Sequence, residues 1–346
     1  MNATDMKIYK EKANGRMSGL TADLITSGVA QNLLPHVTSS QRAAGYFDYY
    51  KTWWHLEDDA DGIGIDPEVY HDYPTLSADD YVLLFTMTDR LAMADLSGYD
   101  TGVDSETKYG VAYLDANITA GEATFDVVVK QPELAAGADL IFRDAGTIKI
   151  TDKSIDTSTS GNEETHTLDG APVVASDGVT ITLTIADSAG FANNYTADGS
   201  VTRVRSIIEP SDLETSATTA DVTSTAGTFD DTTYPLTLDN VGTVDQDWTL
   251  YFTDATHFRL DGDEFGTGVD TGVISSEFAP SNSVKSKPYF TIAAAAFGGT
   301  FEAGDTITFT TKPSATAIGQ KRVVPAGSSS LSNNKVSQVL VVEAGT

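Results

Sequence analysis

The sequence has no cysteine, which removes two common ways of stabilising a small domain or building a site. Disulfide bonds cannot form, and zinc sites with thiolate ligands are excluded. No run approaches the roughly 20 apolar residues that a transmembrane helix needs, and the N-terminus has no apolar signal-peptide core. We therefore expect a protein that is made in a cytoplasm, is not inserted in a membrane, and depends on burial, strand pairing or oligomer contacts for stability.

Sequence motifs of the common enzyme classes are also missing. There is no GxSxG elbow, no Walker loop, and no GxGxxG motif following a strand. The five histidines stand in unrelated contexts, and no pair has a metal-ligand spacing such as HExxH. Acidic residues are numerous, but no carboxylate pair stands out from an acidic surface. We expect no enzymatic activity.

Basic residues are few, with 21 Lys and Arg against 50 Asp and Glu, and the net charge is -29. The charge is unevenly distributed: residues 1–56 hold six basic and four acidic residues, so the remaining 290 residues carry -31. A body this acidic repels phosphate backbones, which argues against nucleic-acid binding. It favours solubility, or contact with a basic partner or with divalent cations.

The N-terminal segment contains the patterns of two helices and two strands. An apolar stripe with spacings of three to five residues predicts a helix within residues 17–34. The sequence "SSQRAAGYFDYY" predicts a shorter helix capped by Ser39 or Ser40, or a helix-to-strand transition at Gly45, with a strand over residues 46–54. A continuous apolar run in residues 79–88 predicts a strand buried on both faces. The stripe, caps and end of the first helix are Ser18, Leu20, Thr21, Leu24, Ile25, Val29, Leu33 and Pro35.

From about residue 117 short strand patterns alternate with turn signals every 8–12 residues, which is typical of a β-sandwich or barrel. The predicted fold is mainly β, with a small α/β N-terminal region and tandem β-sandwich-like domains, either Ig-like or barrels. The C-terminal tail should form strands that pack on the N-terminal domain or on a neighbour. The expected units are an assembly domain at 1–115, two β-domain copies at 116–212 and 213–312, and the tail at 313–346.

An internal repeat supports the division into two β-domains. "ADLIFRDAGTIKITD" at 138–152 matches "WTLYFTDATHFRLDG" at 248–262, and "LTIA" at 183–186 matches "FTIA" at 290–293. Ordered matches at nearly constant offset indicate a tandem duplication. Phe142 and Phe252 should then face inward at equivalent positions, and Asp144 and Asp254 should shape the turns that follow.

One segment has the acid spacing of a calcium loop. "EDDADGIGIDPE" at 57–68 places Glu57, Asp59 and Asp61 at positions 1, 3 and 5, a glycine at 6 and Glu68 at 12. Two features oppose an EF-hand, because position 1 is not Asp and Pro67 blocks the expected helix exit. An acidic connection between strands is the alternative. We expect no cofactor, with calcium at these four residues as the one candidate.

Aromatic residues are concentrated between Tyr46 and Trp54. Such a cluster forms a core edge, a protein interface or a stacking platform for a ligand, and the sequence leaves these alternatives open. Because the segment is nearly neutral within an acidic chain, we expect it to contact neighbouring subunits. The candidate interface residues are Leu33, Leu34, Arg42, Tyr46, Tyr49, Tyr50, Trp53 and Trp54.

Three segments together resemble a known family. "GLTADLITSGVAQNLLPHVTSSQRAAGYFDYYKTWW", "PTLSADDYVLLF" and "KRVVPAGSSSLSNNKVSQVLVVEAG" are similar to virion structural proteins that tailed bacteriophages encode among their tail genes. That family has an Asn-Leu-(Leu/Phe)-Pro helix end, a (Glu/Gln)-Arg-x-x-Gly segment and a Tyr-Arg-Lys-x-aromatic strand. Tyr50 replaces the family's Arg here, so a charge contact of that Arg does not carry over.

The resemblance implies a non-enzymatic virion component of the tail or baseplate that forms a symmetric ring or trimer. Its partners would be copies of itself, in threefold or sixfold symmetry, and other tail proteins, with no nucleic acid and no membrane insertion. It would be synthesised in the bacterial host cytoplasm and located in the virion. The alternatives are a receptor- or carbohydrate-binding tail module, or a head-decoration or neck protein.

Overall fold

The protein is mainly β, with 45% of the structure in strands and almost no helix, which confirms the predicted fold class at that level. The strands form several sheets rather than one. The computed structural model describes residues 5–11, 17, 24–27, 29, 32–74, 79–87, 90, 106–154, 160–199, 201–332 and 334–345.

The regular elements fall into an N-terminal group, two β regions and a C-terminal pair of strands. The N-terminal group is β1 (Met6–Lys10), α1 (Ser39–Ala44), β2 (Tyr46–Leu56), β3 (Gly64–Tyr73) and β4 (Tyr81–Thr86). The first β region is β5 (Lys108–Tyr109), β6 (Val111–Leu114), β7 (Thr124–Val128), β8 (Thr147–Thr151), β9 (Glu163–Thr167), β10 (Val173–Val174), β11 (Thr180–Thr184) and β12 (Arg203–Ser206), with 3-10 turns at Pro132–Leu134 and Gly137–Asp139. The second is β13 (Ser216–Ala217), β14 (Asp221–Thr223), β15 (Gly227–Phe229), β16 (Gln246–Phe252), β17 (His257–Gly262), β18 (Gly266–Val273), β19 (Ser281–Asn282), β20 (Lys287–Pro288), β21 (Phe297–Gly299) and β22 (Thr306–Lys312), with a 3-10 turn at Ala294–Ala296. The C-terminal pair is β23 (Ala315–Val324) and β24 (Ser337–Ala344).

The N-terminal sheet contains strands from both ends of the sequence, in the order β1-β2-β23-β4-β5. Strand β23 runs antiparallel to β2 along ten paired positions, from Tyr46 with Val324 to His55 with Ala315. Its other edge pairs with β4. Strand β24 pairs with β3 in a separate two-stranded ribbon. Both C-terminal strands therefore pair with N-terminal ones.

Strand β4 is buried on both faces from Tyr81 to Phe85, as its continuous apolar run predicts. It lies between β23 and β5. Gly319 of β23 permits the close packing of the Phe85 ring, because a Cβ at position 319 would lie 2.3 Å from that ring. A side chain here would force the two strands apart.

The long N-terminal helix predicted within residues 17–34 is wrong where the structure describes that segment. Leu24 forms a β-bridge with Tyr9, and the Ile25 amide donates to the Ile8 carbonyl at 2.7 Å. Leu24 and Ile25 of the apolar stripe lie in extended chain along the edge of β1, which offers backbone hydrogen-bond partners to them. Leu20 and the cap candidates Ser18 and Thr21 lie outside the described residues.

The shorter helix α1 is present, but its cap is Thr38 rather than Ser39 or Ser40. The Gln41 amide donates to Thr38 Oγ1 at 3.3 Å, and the Thr38 amide donates to Gln41 Oε1 at 2.8 Å. This reciprocal pair is a capping box. The helix ends at Gly45, whose φ of 84° lets the chain turn directly into β2.

The first β region forms a seven-stranded sheet in the order β10-β11-β7-β6-β12-β8-β9. Its hydrophobic core contains Phe125, Phe142 and Phe191, and it also contains Tyr81 and Leu83 from β4. Because two large side chains come from the N-terminal sheet, this region and that sheet share one core.

The second β region has a core of its own. Its main sheet has the order β13-β22-β16-β17-β18, with β14 also on β22. Trp248 and Phe252 are among the aromatic residues that fill the core, and the Phe252 ring stacks on Phe301 at 3.9 Å. Every described side chain in this core lies between Ala220 and Phe309.

The two β regions share several features that the proposed duplication predicts. Phe142 and Phe252 are both buried, one in each core. Isolated β-bridges join Leu168 to Ile185 and, at the corresponding positions, Phe278 to Ile292. Edge-to-face ring pairs also correspond; they are Phe125–Phe191 and Phe229–Phe297.

The two sheets also differ at the repeated segment. Phe252 ends β16, which lies between β22 and β17. Phe142 lies outside any strand, and β8 pairs directly with β12 instead. The duplication therefore stays a prediction. The correspondences support it, whereas the strand β16, which ends at Phe252, has no equivalent strand at Phe142.

The difference between the cores predicts different behaviour of the isolated regions. A fragment of residues 214–313 should give a dispersed amide NMR spectrum, because every described side chain of its core lies within residues 220–309. A fragment of residues 106–212 lacks Tyr81 and Leu83, and removing large core side chains typically costs about 2–5 kcal/mol each. It should give a poorly dispersed spectrum, and a dispersed one would contradict this account of the shared core.

Candidate assembly surface

The two tryptophans predicted to contact other subunits lie inside the chain. Trp53 is 3% exposed and Trp54 is 2% exposed. Trp54 packs with Ile318 and Leu84 of the neighbouring strands, and its indole donates to Thr52 Oγ1 at 3.1 Å. Strand β2 lies between β1 and β23, and its residues from position 49 onward are buried on both faces. Neither indole is therefore free to contact a partner, which corrects that part of the expected interface.

The beginning of β2 is more open than its end. Tyr46 and Tyr50 both donate to Asp48 Oδ2, at 2.5 and 2.9 Å, so their hydroxyls are held within the strand. Tyr49 is buried and packs edge to face with Phe47 at 5.8 Å. Phe47 itself is 48% exposed. It is the residue of this aromatic cluster that presents a large apolar area to solvent.

Next to α1 the two ends of the sequence enclose a cleft of about 280 Å³, which we call the terminal cleft. Leu33 and Leu34, two of the expected interface residues, are half-buried in the segment before it. Residues of the N-terminal segment, β4, β23 and the loop before β24 line the cleft. They include Leu34, Val37, Arg42, Arg322, Leu331 and Val336.

Two arginine side chains at the terminal cleft donate hydrogen bonds to backbone carbonyl groups. Arg42 Nη1 donates to the Val37 carbonyl at 2.6 Å, and Arg322 Nη1 donates to the Pro35 carbonyl at 2.7 Å. The Gly327 amide donates to the Arg42 carbonyl at 2.8 Å. These bonds fix the N-terminal segment against the end of β23.

Two adjacent aspartates fix the loop before β24 to the same place. Asp79 Oδ2 accepts from the Ser329 amide at 2.8 Å, and Asp80 Oδ2 accepts from Asn334 Nδ2 at 2.7 Å. The loop is thereby attached to the residues that precede β4. The three sequence segments that carry the family resemblance meet here.

The proposed calcium residues do not converge on one point. Asp59 Oδ1 is 3.1 Å from Lys287 Nζ, and Glu68 pairs with Lys149. Asp61 Oδ1 accepts from the Asn240 amide at 2.8 Å. The reason is that β3 begins at Gly64 and carries Glu68 away along an extended strand. Within the described ranges no group of three or more His, Asp or Glu side chains could hold a metal ion.

Glu57, the fourth of these residues, belongs to a polar cluster between β2 and the second β region. It accepts hydrogen bonds from Tyr9 and from Lys285 Nζ, the latter at 2.6 Å, and lies 3.3 Å from His55 Nδ1. Burial raises the pKa of Glu57, but the hydrogen bonds from His55, Lys285 and Tyr9 outweigh it and lower the pKa to about 2. Glu57 is therefore an ionised structural contact and not a free ligand.

A second polar cluster joins β3 to the first β region. The Arg203 and Arg205 side chains are buried, and both donate to Asp72 Oδ1. Arg205 also donates to Glu163 and lies 4.8 Å from the centre of the Tyr70 ring. The sequence analysis did not predict this cluster. Two arginines at alternate positions of a strand stand out in so acidic a chain, and that pattern could have indicated a buried ion-pair cluster.

A groove of about 490 Å³ lies at one end of the second β region. Asp254, His257, Arg259 and Glu277 are among its lining residues. Asp254 Oδ1 accepts from the amides of Thr256 and His257, so it shapes the turn as its sequence position predicts. The two phenylalanines that line this groove, Phe258 and Phe278, are buried and offer no face for stacking.

Comparisons with known proteins add no family assignment. No protein-family model matches the chain, and no curated protein matches it. Among the described residues there is no helix long and apolar enough to cross a membrane. The candidate surface therefore rests on the geometry of the terminal cleft and on the exposed Phe47.

Replacing Asp72 with Asn should strongly destabilise the protein. The change removes the carboxylate shared by two buried guanidinium groups, and breaking a buried ion pair typically costs about 3–5 kcal/mol. Urea unfolding followed by fluorescence measures the effect. Asp169→Asn is the matched control, because Asp169 is exposed in the first β region and its replacement should hardly change the unfolding midpoint. Equal midpoints for the two variants would contradict the role assigned to Asp72.

The buried His71 of β3 should make stability depend on pH. Burial lowers its pKa to about 4, whereas the unfolded chain titrates near 6.5. Between these values the unfolded state binds a proton that the folded state does not, so the free energy of unfolding falls as pH falls, by about 3 kcal/mol in all. Urea midpoints at pH 7.5, 6 and 5 should decrease, and His71→Phe should flatten the curve. An unchanged slope in that variant would contradict the assignment.

Proposed function

We propose that the chain is a non-enzymatic structural component of a tailed-bacteriophage virion, in the tail or baseplate, that assembles with copies of itself in a symmetric ring or trimer. The observation that carries the proposal is the meeting of the two chain ends. The segments that resemble the phage family are far apart in sequence, yet β23 pairs with β2 and β4 and the Gly327 amide bonds to Arg42. Segments that lie together on the surface can contact the same neighbouring subunit.

The links between the regions also support a structural role. The Asp72 cluster joins β3 to the first β region, and Glu57 with Lys285 joins β2 to the second. Lys321 of β23 pairs with Asp139 of the first region at 2.8 Å. Buried ion pairs fix relative placement more than they add stability, which suits a subunit that must keep its shape in a particle.

A receptor- or carbohydrate-binding module is the second candidate, and the groove around Asp254 and Glu277 favours it. Carboxylates, a histidine and an arginine provide hydrogen bonds for a sugar. The lack of an exposed aromatic face at this groove weighs against it, since such sites usually offer one side chain for stacking. Binding to a glycan array or to host cells would support this alternative, and a head-decoration or neck role differs only in location.

Location in the particle tests the proposal directly. Purified virions should contain the protein by mass spectrometry, and gold-labelled antibody should mark the tail or baseplate. Label on the head or neck would move the protein to that alternative. Absence from washed virions would reject a virion role altogether.

Phe47 gives a mutational test that spares the fold. Phe47→Ser should keep the melting temperature within a few degrees, because the ring is half exposed. It should reduce incorporation into particles by about tenfold, since burying one aromatic ring is worth about 1.5–3 kcal/mol. Quantitative mass spectrometry of virions from a complementation assay gives the measurement. Tyr234→Ser, an exposed aromatic in the second β region, is the control, and equal incorporation of both variants would contradict an assembly role for Phe47.

A further inference from the structure

The terminal cleft is lined by more cationic than anionic side chains, although the chain as a whole has a net charge of -29. Arg42, Arg322 and Lys335 provide the positive charges, and Asp80 is the one carboxylate among the described lining residues. The exposed Ser329 adds a hydroxyl group. The side chains of the cleft therefore offer mainly hydrogen-bond donors, which suit an anionic ligand.

Two of the three cations have no carboxylate beside them. Asp80 accepts from Asn334 at 2.7 Å and lies 3.7 Å from Arg322, so these charges are already engaged with one another. Arg42 bonds only to a backbone carbonyl and a serine hydroxyl, and neither Arg42 nor Lys335 makes an ion pair in the part of the chain that the structure describes. Unpaired cations in a concave site concentrate the field that attracts an anion.

The apolar side of the cleft favours an anionic group carried on a protein segment. Leu331 is 46% exposed, and the half-buried Leu34 and Val336 line the same space. A free phosphate or chloride ion would leave this apolar surface in water. A segment that places a carboxylate next to an apolar side chain would use both parts of the cleft, in a space of about 280 Å³ that holds only a few side chains.

The second β region is rich in the required carboxylates. Residues 214–313 contain 15 acidic and 4 basic residues. Two of those basic residues, Lys285 and Lys287, already pair with Glu57 and Asp59 of the N-terminal group. The surface that this region presents to another molecule is therefore strongly acidic, and it is complementary in charge to the terminal cleft.

We propose that the terminal cleft of one copy binds a carboxylate-bearing segment of the second β region of another copy. The partner must be a second molecule, because within its own chain neither Arg42 nor Lys335 has a carboxylate partner among the described residues. The contact joins two different surfaces and is therefore heterologous, so its repetition closes a ring when the rotation permits. It deepens the proposed assembly role and rests on it.

Zero-length cross-linking tests the contact on the full-length protein. A water-soluble carbodiimide couples a lysine to an aspartate or glutamate only where the two side chains touch. In an equal mixture of ¹⁴N- and ¹⁵N-labelled protein at low salt, Lys335 should give mixed-isotope cross-links to acidic residues within 214–313. Mass spectrometry then identifies the carboxylate that enters the cleft.

Charge reversal at the cleft gives an independent measurement. Lys335→Glu should keep the melting temperature, because the side chain is exposed, and should lower the association constant about tenfold in sedimentation equilibrium at low salt, because like charges then face one another. Lys10→Glu is the matched control. It makes the same charge change on β1, away from the cleft, and should associate like the parent. Raising the salt concentration should weaken association of the parent.

Several results would overturn the proposal. They are a parent protein that stays monomeric without mixed-isotope cross-links at Lys335, cross-links from Lys335 that reach only other regions, and a Lys335→Glu protein that associates like the parent. Failure here leaves the virion assay untouched, because particle location is measured separately. Conversely, a protein that cross-links as expected but is absent from virions keeps this contact and loses the proposed function.

Discussion

Strand β23 occupies the space between β2 and β4, and the rest of the structure depends on that pairing. Without it β2 and β4 would each lose one hydrogen-bonded neighbour, and the tryptophans of β2 would lose Ile318 and Ala317 from their surroundings. The same pairing brings the loop after β23 to α1 and so forms the terminal cleft. The paired residues of β2 and β23 are more than 250 positions apart in the sequence. Closing so long a loop costs conformational entropy and should slow the formation of this sheet, but the pairing holds the N-terminal group together once it has formed.

Charged side chains inside the protein connect this sheet to both β regions. Arg203 and Arg205 place two guanidinium groups in the interior, so their burial requires carboxylates at fixed positions. Asp72 on β3 and Glu163 on β9 supply them. The cost of desolvation means that such clusters contribute little net stability but disfavour other arrangements of the regions.

The surface features on which the proposed assembly role rests lie on the N- and C-terminal elements. Phe47 precedes the buried part of β2, the terminal cleft lies beside α1, and β24 pairs only with β3 among the described strands. In the acidic second β region, in contrast, every described core side chain comes from the region itself.

Much of the local structure could be predicted from the sequence. Alternation and apolar runs indicated β2 and β4, turn chemistry indicated Asp254, and the mainly β class followed from many short strand patterns. The helix predicted within residues 17–34 failed because an edge of β1 offered Ile25 a backbone partner that periodicity does not reveal. The sequence alone therefore determined which segments are extended, which turn, and which residues are apolar enough to be buried. Only the tertiary structure decided that Trp53 and Trp54 face the interior and that Glu57 and Glu68 bind separate lysines. Those outcomes depend on which strands become neighbours, and strand pairing over hundreds of residues leaves no local pattern in the chain.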